Sequence, residues 1–218
     1  MQLQEENFET DGAGLRLTEE NPPKNAENQE NNRKNIKRRF TPKRLALMAV
    51  FVALSYVVSL WSFSIFPTTP VFFLELDFGN VFILLISLLL GPVEGVIVCV
   101  LKEALRIPVG STGGVGELAN MLMTSSYILL PSIVYRYKKG IKTVIWTLFG
   151  SCLIGTVAAL LINRFITFPL FLKESGVTVF EKSFFLIAAF NLIKTFSIGI
   201  LTFLLYKRLS IFLKKMKI

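Results

Sequence analysis

From about residue 45 onward the chain is a succession of long apolar runs broken by short polar interruptions. The apolar positions are contiguous, unlike the spaced stripe of a surface helix on a soluble protein. Six runs stand out: about 45–63, 78–90, 93–105, 116–135, 143–168 and 184–206. Four of them approach the roughly 20 apolar residues that a bilayer-crossing helix needs. The second and third are short, which predicts helices that tilt or are sheltered by their neighbours. Breakers mark the boundaries: Pro67 and Pro70 after the first run, Gly91-Pro92 between the second and third, and Pro169 after the fifth. The expected fold is therefore all-α, a membrane protein of six transmembrane helices.

Residues 1–40 read differently. The stretch 21–35 is rich in Asn, Glu, Lys and Pro and nearly lacks large apolar side chains. Such a segment cannot bury enough surface to offset its ordering entropy, which predicts a disordered tail ahead of a membrane domain spanning 41–218. No apolar h-region follows its start, so it does not read as a signal peptide.

Charge orients the bundle. Of the 218 residues only 18% are charged, against the quarter usual in soluble domains, and the net charge is +9. The basic residues gather at three places: Arg33 to Arg44, Arg136 to Lys142, and Lys207 to Lys217. Basic clusters stay cytoplasmic, and an even number of spans, six, puts all three on that side, so both termini are expected there. The loops at about 64–77, 106–116 and 169–182 then face outward, with mixed charge. No basic stripe with interleaved aromatics is present, which argues against nucleic acid. The chain has no histidine, and its two cysteines, Cys99 and Cys152, lie inside apolar runs without metal-site or disulfide spacing. No metal and no cofactor are expected.

Polar groups inside apolar spans are expensive and therefore functional candidates. Asn163 and Arg164 interrupt the fifth run, and Asn191 and Lys194 the sixth. Asn191 and Lys194 are three residues apart and share a helix face, as do Glu117 and Asn120 at the start of the fourth run. The structural alternative is interhelical hydrogen bonding for the asparagines and snorkelling for Arg164. A ligand suited to this set is mostly apolar with a flat edge offering donors and acceptors, because each carboxamide presents one of both. A flavin fits, and so do other heterocycles.

Several runs resemble the S components of the energy-coupling factor (ECF) vitamin transporters, of the riboflavin-specific type. They are Leu76–Asn80, Gly91–Gly95, Ser111–Asn120, Asn163 with the Phe-Pro run ending at Leu170, Phe190–Lys194, and Leu204–Leu209. The likeness covers about residues 43–213. It implies a six-helix protein of the bacterial plasma membrane that binds riboflavin from outside as a transported substrate and is no enzyme. It also implies partners: a shared transmembrane coupling subunit and two ATPase subunits. On this likeness Asn163, Asn191 and Lys194 would hold the isoalloxazine edge. Glu117 would lie toward the sugar-alcohol chain, with Asn120 and Asp77 beside the site. For Asp77 and Asn80, capping of the second helix is an equal expectation. Ala49 and Ala53 in the first span, four residues apart, would form the small-residue face that docks on the coupling subunit, with Ala46 on the neighbouring face. No Walker A loop occurs, so energy has to come from a partner. Alternatives are an S component for another vitamin (folate, thiamine or a nicotinate-like ring) and, more remotely, an intramembrane enzyme. A thiamine cation would sit poorly beside Lys194. No His-Glu-x-x-His motif can exist without histidine.

Overall fold

The computed structural model describes residues 41–66, 68–69, 71–110, 112–138 and 140–215, with side chains placed through Tyr206 except that of Ile141. The reading of residues 1–40 as a disordered tail therefore lies outside the described residues. The chain from Thr41 on is one unit of helices: α1 (Pro42–Ser59), α2 (Asn80–Leu90), α3 (Pro92–Arg106), α4 (Val115–Tyr137), α5 (Ile141–Ile162), α6 (Phe168–Leu172), α7 (Gly176–Lys182) and α8 (Phe184–Lys215). α1, α4, the long segment from Lys142 through Lys182, and α8 from Phe184 to Tyr206 are long and apolar enough to cross a bilayer.

The short second run becomes the centre of the bundle. α2 has 11 residues, a length of about 16 Å at 1.5 Å per residue, roughly half the hydrocarbon core. It packs against α1, α3, α4 and α8. Ile83, Leu84, Leu85 and Ile86 are consecutive and all buried, so every face of this helix meets protein rather than lipid. Gly91 makes the turn into α3 possible: its φ of +132° is a backbone state that side-chain-bearing residues rarely adopt, and Pro92 then opens the next helix. Gly79, just before α2, lies so close to α1 that an added Cβ would come within 2.3 Å of the Ser55 carbonyl oxygen. The Ser55 hydroxyl donates to the Gly79 carbonyl at 2.8 Å and fastens the two elements at that point.

Two segments expected to be loops carry structure. The ends of the 64–77 segment are joined by a minimal antiparallel pair, β1 (Phe63–Ser64) with β2 (Glu75–Leu76), an exception to the all-helical expectation. The 169–182 loop is instead helical, formed by α6, a 3-10 turn at Lys173–Ser175, and α7. Pro169 does not end the fifth span: it falls at the second position of α6, directly after the π-helical stretch, and the helix runs on to Leu172. Between α5 and α6 the backbone widens into a π-helical stretch, Asn163–Thr167.

Apolar packing falls into two clusters. The larger joins residues from α1 to α5 with the distal part of α8, Ile198 and Tyr206. The smaller is largely aromatic, with Val71, Phe73 and Leu74 meeting Phe168, Phe180, Ile187 and Phe190. Phe73 stacks on Phe171 at 4.7 Å and 11° and meets Phe168 edge-on at 5.1 Å. On each of several helices a polar group lies just past the larger cluster: Ser55 and Ser59 on α1, Asn80 on α2, Lys102 and Glu103 on α3, Asn120 on α4, and Asn191 and Lys194 on α8. Cys99 and Cys152 are buried free thiols, as their apolar surroundings suggested.

Candidate functional site

The cavity opens at the end of the bundle where α1, α3 and α5 finish and α2 and α4 begin. It spans about 520 Å³ of non-atom space, a figure that includes open solvent at its mouth. Its wall includes Asn163, Asn191, Lys194, Glu117, Asn120 and Asp77, every one of the candidate ligand-contact residues of the sequence. Residues more than 100 positions apart thus converge in one chamber.

Each arrives by a different local route. Asn163 opens the π-helical stretch, where the Phe168 N–H reaches back five residues to the Asn163 carbonyl. The extra residue in that turn brings both Asn163 and Thr167 to the cavity, each only 1% exposed. Asn191 and Lys194 follow one another on a face of α8. The Asn191 Nδ2 donates to the Ile187 carbonyl at 2.8 Å, one turn back, which turns its Oδ1 away from its own helix. Glu117, in the first turn of α4, accepts a hydrogen bond from the Thr112 hydroxyl in the preceding loop.

Three buried polar atoms of wall residues have no hydrogen-bond partner among the described residues: Asn163 Nδ2, Asn191 Oδ1 and Glu103 Oε2. A donor or an acceptor, desolvated and unpaired, costs free energy unless something else completes it. Lys194 adds a further contact point. Its Nζ donates to the Glu75 carbonyl at 3.1 Å and to Asn120 Oδ1 at 3.0 Å, two of the three bonds an ammonium can make. Phe73, Leu74, Met123 and Phe190 supply the apolar part of the wall, so the chamber has the mixed lining of a small-molecule site.

Asp77 and Asn120 do not present free edges. Asp77 Oδ1 accepts from the Ser59 hydroxyl at 2.6 Å and from the Gly79 N–H at 2.8 Å. It thus fixes the turn that leads into α2 without making a side-chain cap of the helix itself. Its Oδ2 accepts from Lys102 at 2.5 Å and from Arg106 at 3.2 Å. Burial alone would push the Asp77 carboxyl up, but Lys102 and the Ser59 hydroxyl outweigh it and hold the group at about 2, fully ionised near neutrality. Asn120 exchanges hydrogen bonds with Asn80 and donates to Glu103 Oε1 at 2.5 Å. Asn80 is accordingly a partner of Asn120 rather than a helix cap.

Sequence reasoning missed the ionic layer. Lys102 and Glu103 read there as the flank of a short span, yet they are 0% and 2% exposed. Arg106 read as an external loop residue, but it ends α3 and pairs with Glu75 at 2.5 Å. A signal was available: positions 99, 102, 103 and 106 lie on one helical face, so the charges point the same way as buried Cys99. Arg164 is partly exposed, 3.5 Å from Glu181 and against the Phe180 ring, and stays outside the cavity.

Bilayer-length helices folded around a chamber of amides, carboxylates and one lysine describe a membrane-embedded protein that binds a small molecule. The chain belongs to the family described as "ECF transporter, substrate-specific component", whose profile matches residues 43–208. It is 31% identical over 178 residues to the riboflavin transporter RibU of Staphylococcus aureus (strain TCH60), covering 79% of this chain and 93% of that one. To the riboflavin transporter FmnP of Bacillus subtilis (strain 168) it is 28% identical over 133 residues, 60% of this chain and 67% of that one. Among solved structures it superposes on the S component of a bacterial ECF transporter with a TM-score of 0.67 at 33% identity, covering 79% of this chain and 98% of the other. These relatives are transport components and not enzymes.

Proposed function

We propose that this protein is the riboflavin-binding S component of an ECF importer in a bacterial plasma membrane, taking the vitamin from outside and passing it inward with a coupling subunit and ATPases. The observation that carries the ligand assignment is the unpaired Nδ2 of Asn163 facing the same chamber as the unpaired Oδ1 of Asn191 and the Lys194 ammonium. The pyrimidine edge of a flavin carries carbonyl acceptors on both sides of an N–H donor. Asn163 and Lys194 donate to the carbonyls, and Asn191 accepts from the N–H. Phe73 and Phe190 meet the apolar rings, and Glu117 with Thr112 lies toward the hydroxyls of the ribityl chain. The names of the two riboflavin transporters support the same ligand.

The outward-facing end is the cavity end, with both chain termini cytoplasmic, as the basic clusters require. Ala46, Ala49 and Ala53 are exposed on α1 and form the face for the coupling subunit, where small side chains allow close helix approach. The direct test is quenching of riboflavin fluorescence by the detergent-purified protein stripped of ligand. Saturable quenching weakened in Lys194→Ala establishes ligand and site together. A folded protein that leaves the fluorescence unchanged returns the ligand question to other vitamins.

A further inference from the structure

The Lys102 side chain is 0% exposed, and it stands behind the cavity wall rather than on it. Its ammonium bridges Asp77 Oδ2 at 2.5 Å and Glu103 Oε1 at 2.7 Å. Both carboxylates continue to Asn120, whose Nδ2 donates to Glu103 Oε1 at 2.5 Å and lies 3.3 Å from Asp77 Oδ2. With its amide held that way, the Asn120 Oδ1 is turned to accept from Lys194 at 3.0 Å. The layer is balanced in charge, with Glu75, Asp77 and Glu103 facing Lys102, Arg106 and Lys194.

We propose that Lys102 is a positioning residue for ligand binding, which acts through Asp77, Glu103 and Asn120 to hold the Lys194 ammonium toward the cavity. Two physical points support this. Buried ion pairs add little stability compared with well-packed apolar groups, so fold alone does not require a lysine here. And if Lys102 is removed, two buried carboxylates lose their nearest cation. Arg106 still bonds Asp77 Oδ2 at 3.2 Å, so Glu103 is the carboxylate left without a cation; Lys194 is the next cation to it through Asn120, and its ammonium turns from the ligand toward Glu103. Lys102 thus determines whether the donor of Lys194 is available to a ligand oxygen.

The inference rests on the flavin reading, and the experiment separates the two. Riboflavin affinity is measured by fluorescence quenching for wild type, Lys102→Met, Lys194→Met and the double variant, with Asn163→Ala and its combination with Lys102→Met as a second cycle. The expected loss for Lys102→Met is roughly 10- to 100-fold, the span of one charge-assisted hydrogen bond. The double variant with Lys194→Met binds no more weakly than Lys194→Met alone, whereas the losses with Asn163→Ala multiply. A general loosening of the fold affects both cycles alike. Should Lys102→Met fail to fold, Lys102→Gln, which keeps a neutral donor beside the two carboxylates and removes the charge, enters the same two cycles. Wild-type affinity in the Lys102 variants, or losses that multiply with Lys194→Met, overturns the positioning role while leaving the flavin reading intact. A wild-type protein that does not bind riboflavin overturns both.

Discussion

The cavity wall carries amide, ammonium and carboxylate groups, most of them paired within the protein and a few atoms of them not. Asn163 and Asn191 each retain one unpaired atom, and Lys194 retains one donor beyond its two bonds. Replacing Asn191 or Lys194 by Ala is expected to weaken riboflavin binding by about 1–3 kcal/mol, the cost of a lost hydrogen bond to a desolvated group. Titration of detergent-purified variants with riboflavin reads this, and unchanged affinity in both removes the assignment. Gly110 is a subtler case: a Cβ there would come within 2.0 Å of Glu117 Oε1 and must displace that carboxylate. Gly110→Ala should therefore weaken riboflavin more than lumiflavin, which keeps the ring system and lacks the ribityl chain. Equal losses for the two ligands would detach Glu117 from the sugar-alcohol end.

At the level of elements, the short α2 and the π-helical stretch do the positioning. α2 shows how an 11-residue apolar helix is accommodated: protein surrounds it, so its length need not match the bilayer. Its entry is tight against α1. Gly79→Ala is expected to destabilise the protein by about 1–3 kcal/mol, since the added methyl meets the Ser59 hydroxyl at 2.1 Å and a backbone oxygen at 2.3 Å. A thermal melt in detergent measures it, and a midpoint equal to wild type would show that α1 can shift away freely. On the opposite face of α1, Ala49→Trp or Ala53→Trp should abolish uptake in cells while leaving riboflavin binding intact. Normal uptake by such variants would exclude that face as the docking surface.

At the scale of the whole molecule, the described residues that line the cavity run from Phe73 to Lys194. Deleting residues 1–35 is therefore expected to leave the riboflavin affinity unchanged in the same quenching assay, and a lost site would tie the amino-terminal segment to the membrane domain. Because the chamber draws its wall from α4, α8, the π-helical stretch and the β2 region at once, a ligand seated in it would bind the folded state alone. Riboflavin at 100 times its dissociation constant should stabilise the protein by about 2.7 kcal/mol, read as a higher melting midpoint. A melt insensitive to riboflavin would contradict binding at this chamber.

Much of this was legible in the sequence. Contiguous apolar runs identify membrane helices because a bilayer imposes a length on any helix that crosses it, and the Gly91-Pro92 break and basic clusters define the count. Asn163, Asn191 and Lys194 stood out because a polar group in an apolar span carries a cost that calls for a reason. What only the tertiary structure decided is pairing, because a chain read one residue at a time holds no information on what faces what. Lys102 and Glu103 look like span-end charges until Asp77 and Asn120, from two other segments, close around them. The π-helical stretch that opens at Asn163 and the helical continuation past Pro169, where Phe168 and Phe171 meet Phe73 from a distant segment, are written in no local pattern.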